Sequence, residues 1–179
     1  MTCELNVELD GTVVALTGGG GVLCGTMARA LGARGAAVAV LDVVEEAARR
    51  VADDICADGG RALAVTCDVL DREQLQRARE VVEQELGPTG ALVNGAGGNK
   101  AEATTTPELP FFDLDKDAVR WVFDLNFLGT FLASQVFGRA MAERGKGQII
   151  NISSMNAIRP LTRIPAYSAA KGAVSNFTR

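Results

Sequence analysis

Tyr167 and Lys171 stand four residues apart in Tyr-Ser-Ala-Ala-Lys, and Ser154 lies thirteen residues before the tyrosine. On a helix, positions i and i+4 share a face, so the ammonium of Lys171 can lie beside the phenol of Tyr167. A cation beside a phenol favours phenolate and draws a tyrosine below its ordinary pKa of about 10, which makes it a usable proton donor or acceptor. An ordinary helix face can also carry Tyr and Lys, so the pair gains weight only from its surroundings. Histidine is absent, which excludes Ser-His-Asp hydrolysis, His-ligated zinc and histidine general bases. The cysteines Cys3, Cys24, Cys56 and Cys67 form no C-x-x-C pair and no metal-ligand spacing. They are expected to be small buried hydrophobes in a reducing compartment, with no metal bound.

The elements that must position these groups alternate along the chain. Apolar β-branched runs at 12–17, 36–41, 62–65, 91–94 and 148–152 read as strands. Helical patterns fall between them at 22–31, 44–57, 72–86 and, as one long helix, 115–143. In the third helix Leu75, Val81, Val82 and Leu86 are the expected core contacts. Continuous apolar strands separated by helices imply a parallel sheet covered on both faces, and right-handed crossovers then give a Rossmann-like, doubly wound α/β domain of about five strands. No repeat, linker or second domain interrupts residues 1–179.

The turn after the first strand is Thr17-Gly-Gly-Gly-Gly-Val-Leu-Cys-Gly25. Glycines between a strand and a helix let backbone amides approach a pyrophosphate, which sits on the positive helix N-terminus. Asp42 ends the second strand, where a carboxylate can accept hydrogen bonds from ribose hydroxyls and repel a 2′-phosphate. No Arg or Lys flanks it at 41 or 43, which favours NAD over NADP. Asp42 can also cap the following helix.

Composition narrows the classes. The chain has 179 residues, 47% of them hydrophobic, with 20 glycines, 5% aromatics and a net charge of −4. No basic run suits nucleic acid, and no apolar stretch approaches the roughly 20 residues of a membrane span. The N-terminus has neither a basic start nor an apolar signal region, and a cytoplasmic protein acting on a small molecule is expected.

In this order and spacing the chain resembles the short-chain dehydrogenase/reductase family over essentially its whole length. The likeness rests on the strand-one turn, Cys67-Asp68-Val69, Asn94-Gly-Ala-Gly97, Asn126, Asn151-Ile-Ser-Ser154 and Tyr167-x-x-x-Lys171. It implies hydride transfer between NAD and a secondary alcohol or ketone. It places Thr17, Gly18, Gly20, Gly21, Val22 and Leu23 at the cofactor, Asp68 and Val69 on the adenine, and Asn94, Ala96 and Gly97 behind the cofactor and steadying the central strand. Tyr167 becomes the acid/base, and Lys171 favours its phenolate and binds the nicotinamide ribose. Ser154 becomes the donor to the substrate oxygen, with Ser153 as its rival. Asn126, otherwise a back-bonded mid-helix residue, becomes the anchor of a proton-relaying water. A homodimer or homotetramer is implied for the full-length form.

The chain also departs from the family pattern. In ungapped register the second and third glycines of the usual turn become Val22 and Cys24, so the turn must close differently. The segment from Gly97 to Phe112 is longer than usual. Gly-Gly-Asn at 97–99, Phe-Phe-Asp-Leu-Asp at 111–115 and Ser-Ser-Met-Asn at 153–156 resemble the D-mannonate oxidoreductase/fructuronate reductase branch. That branch implies a sugar acid, with Lys100, Ser154 and Asn156 as substrate contacts. Family members continue past the position of Arg179, so the domain is expected to lack the C-terminal strands and the substrate lid, and residues 1–179 alone are expected to be inactive. A non-catalytic dinucleotide-binding or interaction module is the alternative.

Overall fold

The computed structural model describes residues 8–179, and Cys3 lies outside them. Strands β1 (Val13–Thr17), β2 (Ala37–Asp42), β3 (Arg61–Thr66), β4 (Thr89–Asn94) and β5 (Gln148–Asn151) form one sheet in the order β3-β2-β1-β4-β5. Every neighbouring pair is parallel. Helices α1 (Val22–Gly32), α2 (Glu45–Ala57), α3 (Arg72–Glu85), α4 (Lys116–Phe123), α5 (Gly129–Glu143) and α6 (Pro165–Phe177) complete the doubly wound α/β domain.

The central strands β1 and β2 are continuously apolar because both of their faces are covered. Val13 and Ala15 of β1 and Ala37, Ala39 and Leu41 of β2 point to one core, filled by Leu75, Ala78 and Val82 of α3 and Ala133, Val136 and Phe137 of α5. The intervening Val14, Leu16, Val38 and Val40 point to the other, against Ala28 of α1 and Ala48, Val51 and Ile55 of α2. This alternation is the period-two rule applied to strands at the centre of a sheet, covered on both sides.

Three sequence expectations need correction. Val81 is exposed, because α3 turns Leu75, Ala78 and Val82 to the core and leaves position 81 beside that stripe. The long helix is broken between α4 and α5 by a π-helical turn over Asp124–Leu128, which contains Asn126. Cys56 is exposed on α2, whereas Cys24 and Cys67 are buried as expected. No described helix is long and apolar enough to cross a membrane.

Candidate functional site

At the C-terminal ends of β1, β2, β3 and β4 lies a cavity of about 690 Å³. This is where ligands of open parallel sheets sit, beyond the carboxyl ends of strands whose connections diverge. Here the switch falls between β1 and β4, which lead to opposite faces.

The glycine turn forms one end of the cavity. Gly19 N–H donates to the Leu41 carbonyl (3.0 Å), Gly21 N–H to Gly18 (3.1 Å) and Gly25 N–H to Gly21 (2.7 Å). Helix α1 begins without a side-chain cap, so the amides of Val22, Leu23 and Cys24 in its first turn have no intrahelical acceptor. These residues line the cavity with Gly18 and Gly21. Oriented amides and the positive end of the helix dipole fit a pyrophosphate there.

Cys24 explains how the altered turn closes. A Cβ placed on Gly95 would lie 2.1 Å from the Cys24 sulfur. The thiol therefore fills the space above a glycine at the end of β4, and a side chain where the family pattern has glycine is accommodated by a glycine opposite. Burial pushes the Cys24 thiol up, with the Lys171 charge opposing it.

Asp42 lines the cavity and faces two backbone donors. Its Oδ2 accepts from Gly20 N–H and its Oδ1 from Val44 N–H, both at 3.0 Å. The N-cap of α2 is Val44, so Asp42 ties the glycine turn to the β2–α2 junction instead of capping the helix. Each oxygen retains acceptor capacity for a ribose hydroxyl. Asp68, Val69 and Leu70 form another wall, shaped by Leu70 N–H donating to Asp68 Oδ1 (2.9 Å).

Two expected cofactor residues act from behind the wall. Thr17 is buried, and its hydroxyl accepts from Gly95 N–H (3.1 Å) and Ala96 N–H (3.2 Å). Asn94 donates through Nδ2 to Ser134 Oγ (2.9 Å) and Asn151 Oδ1 (2.8 Å), joining β4 to α5 and β5. Neither lines the cavity, and neither does Gly20, whose amide is engaged by Asp42. Ala96 and Gly97 do line it.

The other end gathers the residues expected to carry proton chemistry. Tyr167 and Lys171 lie in α6, with Lys171 Nζ 5.8 Å from the Tyr167 ring centroid. Lys171 is 4% exposed, and its ammonium donates to the Ile152 carbonyl (2.7 Å). Burial pulls its pKa below the ordinary lysine value, opposed by Cys24. Asn126 is fully buried and donates through Nδ2 to Gly98 O and Val122 O, both at 2.7 Å. Gly97 allows these groups to converge, since a Cβ there would lie 2.6 Å from Asn126 Oδ1 and 3.4 Å from Lys171 Nζ.

The two serines differ in what holds them. Ser153 Oγ donates to the Lys171 carbonyl (3.2 Å) and shares a 2.6 Å hydrogen bond with Ser175. Ser154 Oγ accepts from Asn156 N–H (3.2 Å), which leaves its own proton to donate. Ser153 contributes to the cavity wall, whereas Ser154, Lys100 and Asn156 lie outside it. Asn156 is buried with its Oδ1 unpartnered, and Lys100 stacks on Trp121, 4.3 Å from the ring centroid. Trp121 and Leu125 line the cavity without having been singled out in the sequence. Their signal was available: Trp121 is the chain's sole tryptophan, placed five and one residues with Leu125 before Asn126.

A sequence model of the short chain dehydrogenase family matches residues 12–179. The chain belongs to that family. An uncharacterized oxidoreductase of Bacillus subtilis is 46% identical over 97% of this chain and 66% of its own length. Another from Haemophilus influenzae is 44% identical over the whole of this chain and 66% of its own length. The crystal structure of a provisionally named D-mannonate oxidoreductase from Haemophilus influenzae, with bound NAD, superimposes with a TM-score of 0.91 at 44% identity, covering 97% of this chain and 65% of that one. The chain thus spans about two thirds of the length of these relatives.

Proposed function

We propose that this single domain binds NAD and carries the catalytic residues of an oxidoreductase that moves hydride between nicotinamide and a secondary alcohol or ketone, acting on a sugar acid. The observation that carries the reading is the continuity of one cavity. It joins the uncapped start of α1 and Asp42 at one end to Tyr167 and Lys171 at the other. The name of the structurally similar NAD-bound protein supports both the cofactor and the substrate class.

The residues present fit the dinucleotide. Gly18, Gly21, Val22 and Leu23 would hold its pyrophosphate, Asp42 its adenosine ribose, and Asp68, Val69, Ala96 and Gly97 the adenine and the back of the molecule. Asp42 also disfavours a 2′-phosphate, which makes NAD the preferred form. When bound, NAD supplies the hydride acceptor, and NADH the donor.

The chain's own groups handle the proton. In the oxidative direction Tyr167 as phenolate takes the proton of the substrate hydroxyl. The buried ammonium of Lys171 puts a positive charge on the same helix face as that phenol and would hold the nicotinamide ribose. Ser154, with Asn156 N–H fixing its oxygen, donates to the substrate oxygen and stabilises charge on it. Asn126 holds the Gly98 backbone at the end of β4 and anchors a proton-relaying water. Lys100 and Asn156 contact the polar substrate. The domain is proposed to be cytoplasmic and to act as a homodimer or homotetramer, with the half-exposed rings of Phe123, Phe127, Phe131 and Phe177 as the supporting surface.

Titration of the full-length form with NAD and NADP, followed by NADH production over a panel of aldonates and uronates, tests the reading. Tighter NAD binding with turnover on sugar acids is the expected result. NAD binding without turnover on any secondary alcohol would leave a binding module, and no dinucleotide binding would overturn the proposal.

A further inference from the structure

We propose that Trp121 is a positioning residue for substrate selection: from the cavity wall, its indole face holds the Lys100 ammonium just outside the cavity, where that charge distinguishes a carboxylate that reaches past the wall from a neutral polyol. The inference rests on the sugar-acid reading above and adds the residue that sets the preference.

The backbone at Lys100 is fixed by the same packing that fixes Tyr167. Asn99 Nδ2 donates to Thr104 Oγ1, and the Thr104 hydroxyl donates to the Lys100 carbonyl, both at 2.8 Å. Ala103, one turn on, is fully buried among Ala118 and Val122 of α4 and Ala166 of α6, with Tyr167 packed against the same cluster. Thr105 N–H donates to the Arg163 carbonyl (2.8 Å), in the segment that leads into α6. The Cα of Lys100 therefore belongs to the Tyr167 end of the molecule.

Its side chain is the remaining freedom. A lysine stem has four rotatable carbons and a strongly hydrated head, so a rigid backbone alone does not aim the ammonium. Trp121 does: Lys100 Nζ stands 4.3 Å from the ring centroid, and the indole itself lines the cavity. Among the described residues no carboxylate pairs with Lys100. A cation held by a π-face keeps N–H donors for an anion. Holding it before the ligand arrives removes an ordering cost that binding would otherwise bear. A neutral polyol of the same length gains little from that charge.

The test is calorimetric binding of D-mannonate and D-mannitol to the NADH-loaded protein, in which neither alcohol can be oxidised. NADH affinity is read separately from its fluorescence. The wild type should prefer mannonate by about tenfold or more, the effect of one charge-assisted contact. Lys100→Met should abolish the preference. Trp121→Leu should remove most of it with Lys100 still present, and Trp121→Phe, which keeps a ring face, should restore it. Should Trp121→Leu lose NADH binding through misfolding, Trp121→Met takes its place. A preference that survives Lys100→Met, or a Trp121 variant that weakens mannonate and mannitol equally, overturns the inference. A wild type that binds NADH but does not discriminate the two ligands overturns it too, while leaving hydride transfer standing. Failure to bind NADH takes down the functional reading and this inference together.

Discussion

At the residue scale the site separates proton chemistry from structural support. Tyr167 lines the cavity and is the proposed acid/base, so Tyr167→Phe in the full-length form should lower turnover by roughly a thousandfold while NADH affinity changes little. Steady-state kinetics beside NADH titration checks this, and wild-type-like turnover would refute the role. The buried thiols behave differently. Burial, with Asp68 and Asp71 adding to it, pushes Cys67 from an ordinary value of 9.0 up to about 11. A folded pKa above the unfolded one stabilises the fold fully below the unfolded value and loses that contribution as pH rises through the folded value. The stability advantage of wild type over Cys67→Val should therefore shrink by about 2–3 kcal/mol between pH 8 and 11. Denaturant unfolding at the two pH values measures it, and an unchanged difference would show that the thiol titrates alike in both states. That Tyr167 and Lys171 share one helix face and one cavity was legible from their four-residue spacing, whereas the spacing that favoured Ser154 over Ser153 does not place it at the cavity wall, where Ser153 lies. The partner of Ser153 was not legible, since Ser175 meets it only after the β5–α6 connection has folded back, whereas Asn156 N–H reaches Ser154 locally, two residues on.

At the element scale, the order of strands and helices was legible because apolar runs and helical periods alternate cleanly. Tertiary contact decided the rest. The π-helical turn at Asp124–Leu128 leaves no mark in hydrophobic periodicity, yet it carries Asn126, whose side chain bonds both Val122 and the backbone of Gly98. Such turns recur at functional positions inside otherwise regular helices. The α1–β4 contact is equally non-local: Cys24 looked like a defect in the glycine turn until Gly95 was seen opposite it. That pairing makes a prediction about two elements at once. Gly95→Ala drives a methyl group into the Cys24 sulfur and should cost ~1–3 kcal/mol. It should also weaken NAD binding by shifting the start of α1. Cys24→Ala alone should be mild, and added to Gly95→Ala it should recover most of the loss, giving a coupling of about 1–2 kcal/mol. Thermal melts and NAD titrations of the two single variants and the double variant form the cycle. Additive losses would mean that the thiol and the glycine do not share that space.

At the scale of the whole molecule, one surface stands apart. Phe123 and Phe127 stack at 5.6 Å, Phe127 and Phe131 at 6.3 Å, and Phe177 of α6 meets Phe127 at 6.0 Å and Phe131 at 5.6 Å. The group spans α4, the π-helical turn, α5 and α6 on one side, and Phe123 and Phe177 remain 36% and 39% exposed. A contiguous aromatic patch shared by several helices is the kind of surface that a second copy of the chain covers isologously. The outer edge of β5 is the alternative surface to test: among the described residues it pairs only with β4, and Ile150 is 50% exposed there. The two differ in what removes them. If the aromatic face forms the interface, Phe123→Asp with Phe177→Asp should give monomers with NAD affinity retained, because those rings lie outside the cavity. Phe112→Ser, at a ring 91% exposed on the α4 approach and outside that patch, should leave the assembly unchanged. If strand addition holds the copies together, the double variant should still associate and Ile150→Lys should release it. Sedimentation velocity on the four proteins separates these outcomes, and a wild type that sediments as a monomer at all concentrations would refute self-association by either surface.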